Sequence, residues 1–277
     1  MRQLAIHNPF GAPVFHEDTV SSTMDVCRAL AAEGGVHGTV ISADFQETGR
    51  GRAGRPWDMD RGENLPFTVL LRYPRIEAAP EALTLKTGLA VSLAIEDFLP
   101  SLAGKVQVKW PNDIMIRCPA QFDGTAPGAG PAGVFRKAAG ILAEARGGTV
   151  FVGVGINVAQ KNFSGLLRNK AASLALAADT APGPESRFIL LEKILFRLYG
   201  ELEAPRAEGA ESDSWRGRLL ARLYRRGEVV TFVEGAAGSG RELRAALAGI
   251  GPKGELLLRV DGEAEARPFV TGELRVY

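Results

Sequence analysis

The sequence predicts an α+β fold, a mixed and largely antiparallel sheet flanked by helices, followed by a small C-terminal β-barrel. Three observations carry this. Neighbouring strand-like runs are joined by turns too short for a crossover helix, at Pro111-Asn112-Asp113 and at Gly147-Gly148. Helical spacing is confined to a few segments set between those strands. From Glu228 the texture changes to short apolar runs broken by Gly, Pro or Asp-Gly. These features divide the chain into a larger unit, 1–225, and a small unit, 226–277.

Phe15 to Val20 reads as a strand. Ser21 or Ser22 then caps a helix with Asp25 in its first turn, ended by Gly34-Gly35. Thr39 to Asp44 and Leu65 to Tyr73 read as buried strands. Between them lies a Gly/Arg-rich stretch, Thr48 to Arg61. Pro80 to Phe98 has helical spacing at Leu85, Leu89 and Leu93. Val106 to Trp110 and Ile114 to Ile116 form a hairpin. Cys118 to Gly133, rich in Pro, Gly and Ala, reads as a mobile insertion. Lys137 to Ala145 and Thr149 to Asn157 form a second hairpin. Arg187 to Glu203 and Trp215 to Tyr224 read as helices. Strands follow at 229–233, 242–250, 256–260, 266–270 and 274–276. A unit of about fifty residues is small for a self-sufficient core, so it is expected to lean on the larger one.

The formal net charge is +1, so no overall field draws the chain to nucleic acid or to an anionic membrane. Any anion site must be local. Cys27 and Cys118 lack metal-ligand spacing, and His7, His16 and His37 are scattered. Reduced thiols, no structural metal and a cytoplasmic location are the expectation. No apolar run reaches membrane-spanning length, and the N-terminus lacks a signal-peptide pattern.

Five motifs carry chemistry. In Gln46-Glu47-Thr48-Gly49-Arg50-Gly51-Arg52-Ala53-Gly54-Arg55-Pro56-Trp57, glycines let backbone amides approach an anion and arginines supply fixed charge. Such a loop is expected to be loosely held until a ligand closes it. By itself it favours an exposed, solvated basic loop or an RGG-like RNA contact, but its place after a buried strand and its end in Trp57 shift the reading toward a ligand loop. Lys109-Trp110-Pro111-Asn112-Asp113 presents a lysine and two polar side chains at a turn, or is an ordinary hairpin turn around a core Trp110. Lys137-Ala138-Ala139-Gly140 brings a lysine beside a residue that leaves room for a ligand, although an exposed strand-end lysine is the commoner case. Gly153-Val154-Gly155-Ile156-Asn157 removes side chains from one strand face. That makes a groove floor, or else a tightly packed strand pair. Ser21-Ser22-Thr23-Met24 offers hydroxyls that cap a helix or bind a ureido-type ring, with capping the default.

The order of these motifs resembles the biotin protein ligase family. The resemblance runs from about Val14 to Asn157, continues faintly through Ala172-Ser173-Leu174, and reappears in Gly254-Glu255-Leu256-Leu257-Leu258. It implies a class II synthetase-like fold and a two-step reaction. Biotin and ATP give biotinyl-5′-AMP, and a lysine of a biotin carboxyl carrier protein or domain of a carboxylase then takes the biotin. Two anions about 4 Å apart repel by roughly 4 kcal/mol at an effective dielectric near 20, so fixed cations are needed. The resemblance assigns Arg50, Arg52 and Lys137 to catalysis. It places Ser22, Thr23, Met24, Gln46, Arg50, Gly51, Arg52, Lys137, Gly140, Gly153 and Gly155 around biotin. It places Arg52, Arg55, Trp57, Lys109, Asn112, Asp113, Lys137 and Asn157 around ATP. Mg²⁺ accompanies the phosphates without a protein cage, and no tightly bound cofactor is implied.

The pattern has departures. Met24 stands where many relatives carry Asn, Ala248 where some carry Arg, and the Cys118 to Gly133 insertion is longer than usual. Ser21 lies near the start of the sequence, so a winged-helix domain, and with it a DNA partner, is not expected. No membrane partner is expected, and pairing of two copies is left open. A lipoate or octanoate ligase is the competing enzyme of the same fold.

Overall fold

The computed structural model describes residues 1–119, 134–163, 165–204, 214–235 and 240–275. The expected insertion at Cys118 to Gly133 lies, beyond its first two residues, outside them. So does Val276 of the last expected strand.

Eight strands form one sheet in the order β1-β2-β3-β4-β8-β7-β6-β5. They are β1 (Arg2–Gln3), β2 (Val14–Glu17), β3 (Val40–Ala43), β4 (Asn64–Arg72), β5 (Val106–Lys109), β6 (Asp113–Cys118), β7 (Val134–Arg146) and β8 (Thr149–Asn157). β2 and β3 run parallel, connected through the helix α1 (Thr23–Ala32), while the other neighbours pair antiparallel. The short turns read from the sequence account for this: a hairpin reverses direction, and only a helical crossover restores it.

Strand β4 shows why both faces of the sheet are covered. Its alternate residues Phe67, Val69 and Leu71 join the main core with α2 (Leu83–Phe98) and α4 (Arg187–Leu202). Leu70 instead joins Met24 and Cys27 of α1, with Ile41 and Phe151, in a second cluster on the other face. Side chains alternate across a strand, so a run apolar at both parities must be buried twice.

The small C-terminal barrel expected from the sequence is built as a five-stranded antiparallel sheet, ordered β12-β11-β10-β9-β13. Its strands are β9 (Val229–Glu234), β10 (Glu242–Ile250), β11 (Leu256–Val260), β12 (Arg267–Phe269) and β13 (Gly272–Arg275). It leans on the larger unit as anticipated. Trp110, just after β5, donates its indole N–H to the Gly254 carbonyl at 3.0 Å and packs on Phe232. Apolar side chains of both sheets belong to one continuous core. Gly254 has φ +91°, and a Cβ there would come within 2.8 Å of Ala82, so this close approach requires glycine.

Two elements went unread in the sequence. β1 is a two-residue edge strand, and α3 (Leu174–Ala177) is a single turn capped by Ser173. Neither is long enough for a periodicity to register. The helix read over 215–224 is shorter, α5 (Trp215–Leu220). Among the described residues no helix is long and apolar enough to cross a membrane.

Candidate functional site

A cleft of about 1120 Å³ opens on the sheet face that carries α1. Strand register explains its floor. Pro66, Gly155, Gly140, Asp113 and Lys109 stand in one cross-strand row over β4, β8, β7, β6 and β5. In the neighbouring row Gly153 pairs with Thr68. Facing glycines on adjacent strands remove two side chains at one level and leave a trough in an otherwise filled surface. Trp57 lies in that trough. A Cβ on Gly155 would meet its ring at 2.6 Å and one on Gly140 at 3.2 Å. Gly153 is covered by the methyl end of Met24, 2.9 Å from the position of a Cβ.

One wall is the start of α1. Ser22 caps the helix, its hydroxyl accepting from the Met24 amide at 3.2 Å, so the default reading of that serine holds. Thr23 donates its amide and its hydroxyl to Gln46 Oε1 at 2.8 and 3.0 Å. Its hydroxyl also lies 2.9 Å from that of Thr68. These contacts fix which end of the Gln46 amide faces Gly49: its Nε2 lies 2.9 Å from where a Cβ on that glycine would stand. Thr68 is a contributor that the sequence did not disclose, since a threonine in an apolar strand carries no signal of its own.

The Gly/Arg-rich loop covers the cleft. It turns back at Arg52–Gly54, with Gly51 donating to the Arg55 carbonyl at 2.7 Å and Trp57 to that of Gly49 at 2.9 Å. Ala53 takes φ +54°, a left-handed conformation at a non-glycine residue. The loop's arginines reach three different elements. Arg50 donates to Asp25 of α1 at 2.6 Å. Arg52 donates to Asn112 Oδ1 at 3.2 Å across the cleft. Arg55 meets Glu273 of β13 through two bonds, at 3.0 and 2.7 Å. A guanidinium fork bonds any carboxylate within reach, and the sequence alone does not show which carboxylates the fold brings near.

At the far end lies a cluster of charge. Lys137 Nζ stands 2.6 Å from Asp113 Oδ1, and Lys109 Nζ stands 3.4 Å from Asp113 Oδ2. Burial alone would raise the Asp113 carboxyl. The Lys137 and Lys109 ammoniums and their hydrogen bonds outweigh it and hold the group below its ordinary value. Lys137 also lies 5.8 Å above the Trp57 ring. Asn112 is braced by donating to the Ile141 carbonyl at 2.8 Å.

Every residue named for the site from the sequence lines this one cleft. Several of these side chains also have partners within the protein. Asp113 gives both oxygens to lysines. Asn157, assigned to the nucleotide, is buried and spends its amide on the Ala172 carbonyl at 3.1 Å. Arg50 and Arg55 are committed to Asp25 and Glu273. Ala248, noted for lacking an arginine, lies outside the cleft lining, whereas Arg275 lies within it, beside Glu273 and Leu274. Phe163, Leu166, Leu167 and Lys170 also line the cleft unannounced by any motif. Their segment is brought there by pairing of Lys137 with Ala171.

No family model matches the chain. It is 30% identical over 244 residues to the bifunctional ligase/repressor BirA of Salmonella typhimurium, covering 86% of this chain and 66% of that protein. It is 31% identical over 143 residues to the biotin–[acetyl-CoA-carboxylase] ligase of Mycobacterium tuberculosis, covering 51% and 47%. The chain thus spans between 47% and 66% of the length of the curated relatives it matches. Among solved structures, the biotin protein ligase of Aquifex aeolicus in complex with biotin and ATP superposes with a TM-score of 0.70. The identity is 25%, over 95% of this chain and 97% of that one. Sequence, fold and the placement of the motifs around one cleft agree: the chain belongs to the biotin protein ligase family.

Proposed function

We propose that the chain is an ATP-dependent biotin protein ligase. It forms biotinyl-5′-AMP and pyrophosphate, then transfers biotin to a lysine of a carboxylase's biotin carboxyl carrier domain. The observation that carries this reading is the convergence of a glycine-floored trough with Arg52, Lys109 and Lys137 in a single cleft. Its volume, about 1120 Å³, exceeds the roughly 300–1,000 Å³ of an ordinary small-ligand pocket and suits two substrates side by side.

In this reading the ring end of biotin lies between Gln46, Thr23 and Met24, and its chain runs over the Trp57 ring that fills the trough of Gly140 and Gly155. The carboxylate attacks the α-phosphorus of ATP, forming a new P–O bond as pyrophosphate leaves. Arg52 and Lys137 offset the repulsion between the two anions and stabilise the charge on the phosphoryl oxygens. Lys109 and Asn112 lie on the nucleotide side. Mg²⁺, where it accompanies the phosphates, would supply further positive charge beside Arg52 and Lys137. Asp113, the carboxylate deepest in this cluster, is bracketed by lysines and offers the ion no cage. In the second step the acceptor amine attacks the anhydride carbonyl, loses its proton and releases AMP. The loop keeps water from the anhydride meanwhile. We assign residues 1–225 to the catalytic unit and 226–277 to a unit that completes the nucleotide side.

Pyrophosphate release measured separately with biotin, lipoate and octanoate tests the proposal. Turnover with biotin is expected, while turnover with lipoate and none with biotin would move the chain to the competing ligase. Arg52→Ala and Lys137→Ala are expected to abolish adenylate formation while leaving the fold.

A further inference from the structure

Away from the cleft, a buried arginine spans the neck of the covering loop. Arg187 opens α4 and is 4% exposed. One end of its guanidinium, Nη2, bonds Asp44 Oδ1, and the other, Nη1, bonds the Gly62 carbonyl. Asp44 is the residue after β3 from which the loop departs. Gly62 is where the loop returns ahead of β4, with its amide donating to the Asp44 carbonyl at 2.9 Å. Between these two residues, Phe45 to Met59 supply most of one wall of the cleft. Arg187 is itself not part of that wall.

The neck is packed as well as bonded. His16 Nε2 faces Asp44 Oδ1 at 3.0 Å, and its Nδ1 lies 2.9 Å from the Ser42 hydroxyl. The rings of His16 and Phe188 meet edge to face at 5.2 Å, and the Arg187 guanidinium lies 4.7 Å from the Phe188 ring. Arg61 donates to the Asp18 carbonyl and the Thr19 hydroxyl, at 3.1 and 2.8 Å, and covers Phe45. His16, Asp18 and Asp44 present ligand atoms within 4.8 Å of one another, which raises the question of a metal. Arg187, already bonded to Asp44, supplies the positive charge there and argues for a guanidinium staple instead.

We infer that Arg187 is a positioning residue for the adenylation site, setting the angle at which the loop lies over the cleft. The inference rests on the ligase reading for its catalytic consequence, not for its structural one. A planar fork that bonds a carboxylate and a carbonyl together fixes their separation. Lysine keeps the charge but is a point donor and cannot hold both. Small displacements of positioning groups are costly, since a shift of about 1 Å in a reacting group can lose roughly a hundredfold in rate.

Arg187→Lys is the test, read two ways. The first needs no activity: trypsin cleavage after Arg50 and Arg52 in the native protein reports opening of the loop. Roughly tenfold faster cleavage than in the unsubstituted chain is expected. The second is the fraction of biotinyl-5′-AMP lost to solvent rather than transferred to the carrier lysine, per adenylate formed. This ratio does not depend on how much protein is folded, so a merely structural role would not move it. A severalfold rise is expected. A folded Arg187→Lys protein with unchanged cleavage and unchanged partition overturns the inference. If that variant does not fold, Asp44→Asn, which keeps the Gly62 bond, is read the same way and against the same outcomes. If the unsubstituted chain makes no adenylate, the ligase reading fails, and the cleavage result still decides the role of the neck.

Discussion

Arg55 and Glu273 are 218 residues apart in sequence and share two hydrogen bonds, which tie the tip of the covering loop to the last strand of the C-terminal sheet. The side chains are 58% and 30% exposed, so solvent screens the pair and its worth to overall stability is at most about 1 kcal/mol. Its effect should appear in loop closure instead. Glu273→Gln is expected to change the melting temperature little and to increase escape of the adenylate. Arg55→Ala should do the same, and the double variant no more than either. Additive effects in that cycle would show that the two residues do not act together. The Arg55 hydrogen bonds hold the Glu273 carboxyl below its ordinary 4.5. The latch is therefore intact at neutral pH and is lost as pH falls below that range.

Gly155→Ala places a methyl group 2.6 Å from the Trp57 ring, and Gly140→Ala places one at 3.2 Å. Gly155→Ala is expected to drive the indole out of the trough, loosening the loop and lowering adenylate formation at least tenfold. Gly140→Ala needs a shift of only a few tenths of an ångström and should cost less. Adenylate assays on both, with tryptophan emission as a monitor, check the ranking. Equal activities would count against Trp57 lying in the trough.

Asp113→Asn removes the one carboxylate between two lysines. Lys109 is 6% exposed, but Asp113 is 16% and Lys137 36% exposed, so solvent compensates part of the freed charge and a loss of about 2 kcal/mol in urea unfolding is expected. A change under about 1 kcal/mol would show that solvent already compensates the lysines. The carboxyl is held below 3.8, so its contribution is present at neutral pH and disappears as pH drops through its lowered value.

Burial pushes His16 below 6.5, with Arg2 and Arg187 adding to the effect of burial and Asp44 opposing it. The unfolded chain therefore takes up a proton at a pH where the folded chain does not. Stability is expected to fall as pH drops below 6.5, and His16→Asn should flatten that slope. Denaturant midpoints from pH 7 to 5 measure it; parallel curves for the two proteins would remove His16 from the linkage.

Much of this molecule is legible without coordinates. β8, β10 and β11 have the boundaries their patterns suggest, because alternation and turn residues are local properties. The five motifs are local too, and each is a short run whose residue types imply a use. β1 and α3 were missed because so few residues carry no period.

The partners of the charged side chains are a different matter. A guanidinium in a Gly/Arg loop declares its chemistry, but Asp25, Glu273 and the turn at Asn112 become its neighbours only when α1, β13 and the β5–β6 hairpin are packed around one cleft. Thr68 reaches Thr23 through strand register, and Arg187 reaches Asp44 and Gly62 from a helix more than a hundred residues away. The sequence by itself determined the element types, the motifs and the family they belong to, since these depend on short-range pattern. Only the tertiary structure decided which cation meets which carboxylate. Hydrogen bonds and ion pairs act over a few ångströms, and separation along the chain places no limit on what folding brings to that distance.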